Sequence, residues 1–118
     1  MKKEVVIGID IGGTFTKLGI TDRSGNLYYE NVIETDKYED PNAFVDAVHE
    51  MVHEVLKKHE DDFTIKGVGI GAPNGNYYTG NIEFAPNLIW KGVIPFANIF
   101  SNKFLHLVHY PILILQYI

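Results

Sequence analysis

The 118-residue sequence predicts an α/β domain whose elements run strand, strand, strand, helix, strand (βββαβ), a mixed sheet with packed helices. Three observations predict it. Residues 3–10 and 15–22 are short apolar runs joined by Gly12-Gly13, residues 40 to 60 carry apolar positions at helical period, and residues 65–72 return to a strand pattern that stops at Pro73.

The elements follow in order. Val5, Val6, Ile7 and Ile9 are β-branched residues in a run short enough for a buried strand, and the paired glycines supply the permissive backbone of a tight turn. Residues 26–34 make a third strand after the turn Asp22-Arg23-Ser24-Gly25-Asn26, which completes an antiparallel meander. Asp40 is then a helix N-cap and Pro41 suits the first helical position. Phe44, Val48, Met51, Val52 and Val55 fall on one helical face. In Ile65 to Ala72, Val68 and Ile70 alternate with glycines as in a second buried strand. A right-handed crossover would lay this strand parallel to the first, with residues 10–14 and 71–75 at neighbouring carboxyl ends, where open α/β sheets bind ligands. The turn-rich span Tyr77-Tyr78-Thr79-Gly80-Asn81 separates the second of these loops from the segment around Asn87.

The length allows one domain with a single core and leaves no room for two lobes. A net charge of −5, spread along the chain, offers neither a nucleic-acid footprint nor a patch for anionic membranes. With no cysteine there is no disulfide framework and no thiolate metal site. Glu4, Gly8 and Asp10 break the first apolar run, unlike a secretory signal, so the expected location is the cytoplasm.

The chemistry concentrates where the first strand ends. Gly12 and Gly13 lack a Cβ and let backbone N–H groups close on a polyanion, Thr14 and Thr16 add hydroxyl donors, and Lys17 adds a positive charge. Asp10 is placed to hold a magnesium ion, directly or through water, since hard cations want oxygen ligands. Two glycines alone would mark an ordinary hairpin. The ordered set D-x-G-G-T-x-x-K is what points to a nucleotide phosphate.

Asp10-Ile11-Gly12-Gly13-Thr14 resembles the first phosphate motif of the actin-like ATPase superfamily, and its flanks resemble the ROK branch of repressors, open reading frames and sugar kinases. Gly67-Val68-Gly69-Ile70-Gly71-Ala72-Pro73-Asn74-Gly75 and Phe84-Ala85-Pro86-Asn87-Leu88-Ile89-Trp90 extend the likeness, in the right order, to about residue 103. The resemblance implies the ribonuclease-H-like/actin-like half-fold and an ATP-dependent, glucokinase-like transfer of the γ-phosphate to a hexose such as glucose, with Mg2+. It also implies that Asp10, Gly12, Gly13, Thr14, Thr16 and Lys17 face the nucleotide. Ala72, Pro73, Asn74, Gly75 and Asn87 would face the sugar, Asn87 as an amide that both donates and accepts. Such kinases more often have glycine at the position of Asn74. Trp90 is expected to pack beneath the loop rather than stack on the sugar.

Competing motifs are weaker. His49-Glu50-Met51-Val52-His53 matches the H-E-x-x-H pattern of zinc proteases, but helical spacing turns both imidazoles away from the apolar face toward solvent, and no third ligand follows at a usual spacing. The first loop lacks the G-K-[ST] ending of a P-loop, and Gly67-x-Gly69-x-Gly71 does not open a helix. By itself Ala85-Pro86-Asn87-Leu88 reads as a plain loop with an Asx turn; only the other motifs give Asn87 a role.

The resemblance fails beyond residue 103. The family continues into an Asn-Asp-x-Asn motif whose aspartate deprotonates the sugar, and later into a cysteine-rich zinc site; neither motif occurs in this sequence, so no catalytic residue is assigned and no zinc is expected. Residues 1–103 are thus expected to be an N-terminal kinase lobe, inactive by itself, and residues 104–118 an apolar tail from a truncated or frame-shifted end. Ile112–Ile118 is uncharged and β-prone, which leads to an expectation of self-association, or else is one more core strand. A non-catalytic sugar-sensing module is the alternative, although ROK-like repressors carry a DNA-binding extension and this chain enters its first strand almost at once.

Overall fold

The computed structural model describes residues 2–59, 62–104 and 112–116. β1 (Lys3–Ile11), β2 (Phe15–Asp22) and β3 (Leu27–Glu34) form the meander, α1 (Pro41–Lys58) follows, and β4 (Phe63–Ala72) lies parallel to β1. The βββαβ half-fold is therefore present. The chain adds a ribbon of β5 (Ile82–Glu83) and β6 (Val93–Ile94), then α2 (Phe96–Phe104) and β7 (Ile112–Gln116). β7 pairs in parallel with β4, giving the strand order β3-β2-β1-β4-β7. Of the tail, Phe104 closes α2 and residues 112–116 form this outer strand; residues 105–111, 117 and 118 lie outside the described residues.

Alternation sorts each strand's side chains between two faces. Val5, Ile7, Ile9 and Ile11 of β1, Leu18 and Ile20 of β2, and Ile65, Val68, Ile70 and Ala72 of β4 are buried on one face. α1 covers that face with Phe44, Val45, Val48, Val52 and Val55. Val45, not Met51, completes its buried stripe; Met51 is only partly covered. The helix starts where the sequence says it should, with an Asp40 carboxylate oxygen accepting from the Asn42 N–H at 2.8 Å and Pro41 following the cap. Lys57 and Lys58 sit in its last turn, where positive charge opposes the helix dipole.

α2 presents Phe96, Phe100 and Phe104 at i, i+4 and i+8, all fully buried. Phe100 and Phe104 stack with ring centroids 3.9 Å apart, and Trp90 lies between Phe44 at 4.9 Å and Phe96 at 5.9 Å. The Trp90 indole N–H donates to the Tyr38 carbonyl oxygen at 2.8 Å. Each such aromatic contributes roughly 1.5–3 kcal/mol by leaving water. This cluster anchors the segment that carries Asn87.

The opposite sheet face is nearly bare. Register places Gly19, Gly8 and Gly69 in one row across β2, β1 and β4, and Lys17, Asp10 and Gly71 in the adjacent row. A Cβ added at Gly8 or Gly69 would meet nothing within 4 Å. At the far end of β2, the Asp22 carboxylate accepts from the Tyr28 hydroxyl at 2.6 Å, the Asn26 amide and the Ser24 and Asn26 N–H groups. These donors, Tyr28 first, hold its carboxyl well below the usual carboxylate range.

Candidate functional site

Asp10 stands at the carboxyl end of β1, paired in register with Lys17 of β2 and Gly71 of β4. Both charged side chains are exposed, and among the described residues neither enters an ion pair. They rim a shallow trough of about 410 Å³ floored by Gly8, Gly19, Gly69 and Gly71. An unpaired carboxylate here fits magnesium, which commonly takes one or two protein carboxylates and fills its remaining positions with phosphates and water.

The glycines of the first loop are needed for a different reason from the one expected. Neither has a positive φ, so the turn does not demand their conformational freedom. Close approach demands it instead. The Gly12 N–H donates to the Phe15 carbonyl oxygen at 3.0 Å, and a Cβ on Gly12 would lie 2.6 Å from that oxygen. A Cβ on Gly13 would run into the backbone carbonyl oxygen of Asn87. Gly13 and Asn87, 74 residues apart in sequence, are thus in backbone contact.

Thr14 and Thr16 part company. Thr14 is exposed at the loop, where its carbonyl accepts from the Thr35 N–H at 2.8 Å. Thr16 is 1% exposed, and its hydroxyl bonds that of Thr35 at 2.7 Å on the α1 side of the sheet. The expectation that Thr16 donates to phosphate is corrected: β2 alternates, and Thr16 shares the inward face with Leu18 and Ile20 while Lys17 points out.

In the second loop, Ala72 is fully buried as the last residue of β4, so its side chain belongs to the core, and Pro73 is partly covered. Asn74 has φ +57°, the left-handed region that favours glycine and tolerates asparagine, which accounts for an asparagine where glycine is common. Its side-chain amide is already engaged: Nδ2 donates to the carbonyl oxygens of Glu83 and Phe84, both at 3.0 Å. Gly75 bridges Ile82 in the adjoining ribbon. Asn74 therefore ties the second loop to the strand leading into Asn87. Asn87 itself is exposed, on a loop held by buried Ala85 and Leu88.

Phe84 entered the sequence reading only as the first residue of a matching segment. It holds φ +54°, strained for a bulky residue, with its side chain 69% exposed, and sits three residues before Asn87. No local signal in the sequence announces it.

The histidine pair differs from expectation in one member. His53 is exposed, but His49 is half-buried, stacked on His53 at 5.9 Å and edge-on to Phe104 at 5.1 Å. Burial, then the nearby Lys103 and His53, lower its pKa from the ordinary value. Among the described residues no three His, Cys, Asp or Glu side chains are grouped to hold a metal, and no helix is long and apolar enough to cross a membrane.

Residues 6–110 match the model of the ROK family. The chain is 36% identical over 88 residues to a glucokinase of Streptomyces coelicolor, a span of 74% of this chain and 26% of that protein. It thus spans about a quarter of that relative's length. Its fold is similar to that of a ROK family glucokinase from Streptomyces griseus in complex with glucose and AMPPNP (TM-score 0.63, 23% identity, 95% of this chain and 33% of that one). It is also similar to that of a ROK family transcriptional regulator homologous to the E. coli MLC protein (TM-score 0.74, 10% identity, 96% and 28%).

Proposed function

The chain belongs to the ROK family, and from that membership we propose that it is a kinase lobe presenting the phosphate-facing and sugar-facing wall of an ATP:hexose phosphotransferase. The observation that carries this reading is the contact of Gly13 with Asn87. It joins the end of the Asp10–Lys17 hairpin to the loop that would hold the sugar, so donor phosphate and acceptor hydroxyl meet at one seam.

In this reading the backbone N–H groups around Gly12 and Gly13, the Thr14 hydroxyl and the Lys17 ammonium bind phosphate oxygens. Asp10 would hold magnesium, which when bound neutralises charge on the phosphates. Asn87 orients the hexose through a donor and an acceptor, and Gly75 lines the pocket with backbone. Phosphoryl transfer is mostly positioning and electrostatics, yet an alcohol acceptor gains from a general base. No aspartate of an Asn-Asp-x-Asn motif stands among these 118 residues, so they bind without efficient turnover. Residues 1–103 act as the lobe, and β7 in the 104–118 segment, the outermost strand on its side among the described residues, pairs with a second copy.

Calorimetry with Mg-ATP, glucose and N-acetylglucosamine tests the proposal. Binding of Mg-ATP that Asp10→Ala and Lys17→Ala each weaken severalfold, with ADP release at background, is expected. Normal turnover would refute the inactive-lobe reading, and unchanged nucleotide binding in both variants would refute the site. The similarity of fold to a transcriptional regulator favours a second reading, a sugar-sensing module. Hexose binding with no nucleotide binding would select it.

A further inference from the structure

Beyond the sugar loop the chain makes a second, aromatic feature. Residues 76–81 form a tight tip organised by Asn76, whose Oδ1 accepts from the Tyr78 N–H at 2.9 Å and the Thr79 N–H at 3.2 Å. Asn76 also donates its N–H to the Asn81 carbonyl and accepts from the Gly80 N–H, both at 2.8 Å. Gly80 is left-handed at φ +74°, and its carbonyl accepts from the Ala97 N–H at 2.9 Å, pinning the tip to α2. The tip is therefore braced from within and from below.

On this braced turn stand two tyrosines that the turn itself does not require. Tyr77 is 56% and Tyr78 92% exposed, with rings edge to face and centroids 5.4 Å apart. Turn chemistry calls for Gly, Asn, Asp, Ser or Pro, so two adjacent exposed rings are aromatic surface that the turn does not need and that a ligand can cover. Beside the rings is a cavity of about 500 Å³ lined by Asn74, Gly75, Asn76, Tyr77, Tyr78 and Glu83. It shares the wall Asn74-Gly75 with the loop assigned to the hexose.

The polar groups suit hydroxyls. Glu83 accepts from Asn76 Nδ2 at 3.1 Å on one carboxylate oxygen and from the Thr79 hydroxyl at 3.4 Å on the other. Each oxygen retains a lone pair for a further donor, and Asn76 Nδ2 retains one hydrogen. Among the described residues no basic side chain lines the cavity, which disfavours a phosphate. Aromatic faces for the C–H surface of a pyranose, with a carboxylate and an amide for its hydroxyls, are the chemistry of a carbohydrate site. We propose that the Tyr77–Tyr78 tip, with Asn76 and Glu83, is an outer carbohydrate subsite that takes a second pyranose ring linked to the hexose. This rests on the hexose reading of the adjoining loop.

NMR titration of the full 118-residue chain with glucose, maltose and cellobiose tests it, alongside the double variant Tyr77→Ala/Tyr78→Ala. At least one disaccharide should bind about fivefold more tightly than glucose, the gain from covering about 40 Å² of apolar ring surface. Its addition should shift the amide signals of residues 76–79, whereas glucose should not. The double variant should lose the fivefold preference and keep its glucose affinity. Disaccharides no tighter than glucose, or a variant that loses glucose in the same proportion, would overturn the subsite and leave the hexose site standing. Failure of every sugar to bind would overturn the hexose reading and the subsite together.

Discussion

Thr16→Val separates a structural from a ligand-binding role for the one hydroxyl that the sequence and the structure place differently. The Thr16 and Thr35 hydroxyls lie 2.7 Å apart with both residues essentially inaccessible. Valine keeps the shape of Thr16 and strands the Thr35 hydroxyl, so the loss combines a net bond of about 1 kcal/mol with the desolvation of the orphan, about 1–3 kcal/mol in all. For a domain of this size that lowers Tm by about 4–10 °C. Thr35→Val should cost the same. The double variant Thr16→Val/Thr35→Val leaves no orphan and should return to within about 1 kcal/mol of the parent. Urea unfolding of the four proteins gives the coupling, and Mg-ATP titration of Thr16→Val should match the parent. Additive losses in the double variant, or a Thr16→Val protein of unchanged stability and weakened nucleotide affinity, would refute the reasoning and return Thr16 to the phosphate site.

Three further outcomes are expected. Gly13→Ala should cost about 1–3 kcal/mol by forcing the Asn87 carbonyl away, and should weaken glucose binding in parallel; Gly8→Ala, in open space, should stay within about 0.5 kcal/mol, with urea midpoints as the check. Asn74→Ala should lose about 3–4 kcal/mol, two hydrogen bonds plus the left-handed penalty, and Asn74→Gly about 1 kcal/mol less because it escapes that penalty; equal losses would mean φ is immaterial. His49 has a lowered pKa in the fold, so the unfolded chain binds more protons between that value and about 6.5. Stability should therefore fall as pH drops below about 6.5, and His49→Gln should flatten that part of the profile measured by thermal unfolding.

Much of the fold was legible because its signals are local. The alternation of β1, β2 and β4 and the Asp40-Pro41 start of α1 are written in adjacent residues. α2 was legible in principle from Phe96, Phe100 and Phe104 at i, i+4 and i+8, but it has no acidic first turn to announce it. β5 and β6 are two-residue strands defined by partners ten or more residues away, and no window of sequence contains that pairing. The site divides along the same line. Asp10 and Lys17 face out together as period 2 requires, and the same period, applied to Leu18 and Ile20, would have turned Thr16 inward. The need for glycine at Gly13, the engagement of the Asn74 amide and the partial cover of His49 by Phe104 depend on contacts from distant segments, which motif spacing does not carry.

The placement of β1 between β2 and β4 sets the order in which this fold can be assembled. Ile11 meets Thr16 across a hairpin, whereas Lys3 meets Phe63 only after α1 has been traversed. Closing a loop of about 60 residues rather than about 5 costs roughly 2.2 kcal/mol more in chain entropy. The β1–β2–β3 meander can therefore form early, and the seam between Asp10 and Gly71 closes late. Substitutions in β4 should then speed unfolding more than they slow folding, and chevron kinetics with the slowing confined to β4 variants would contradict this order.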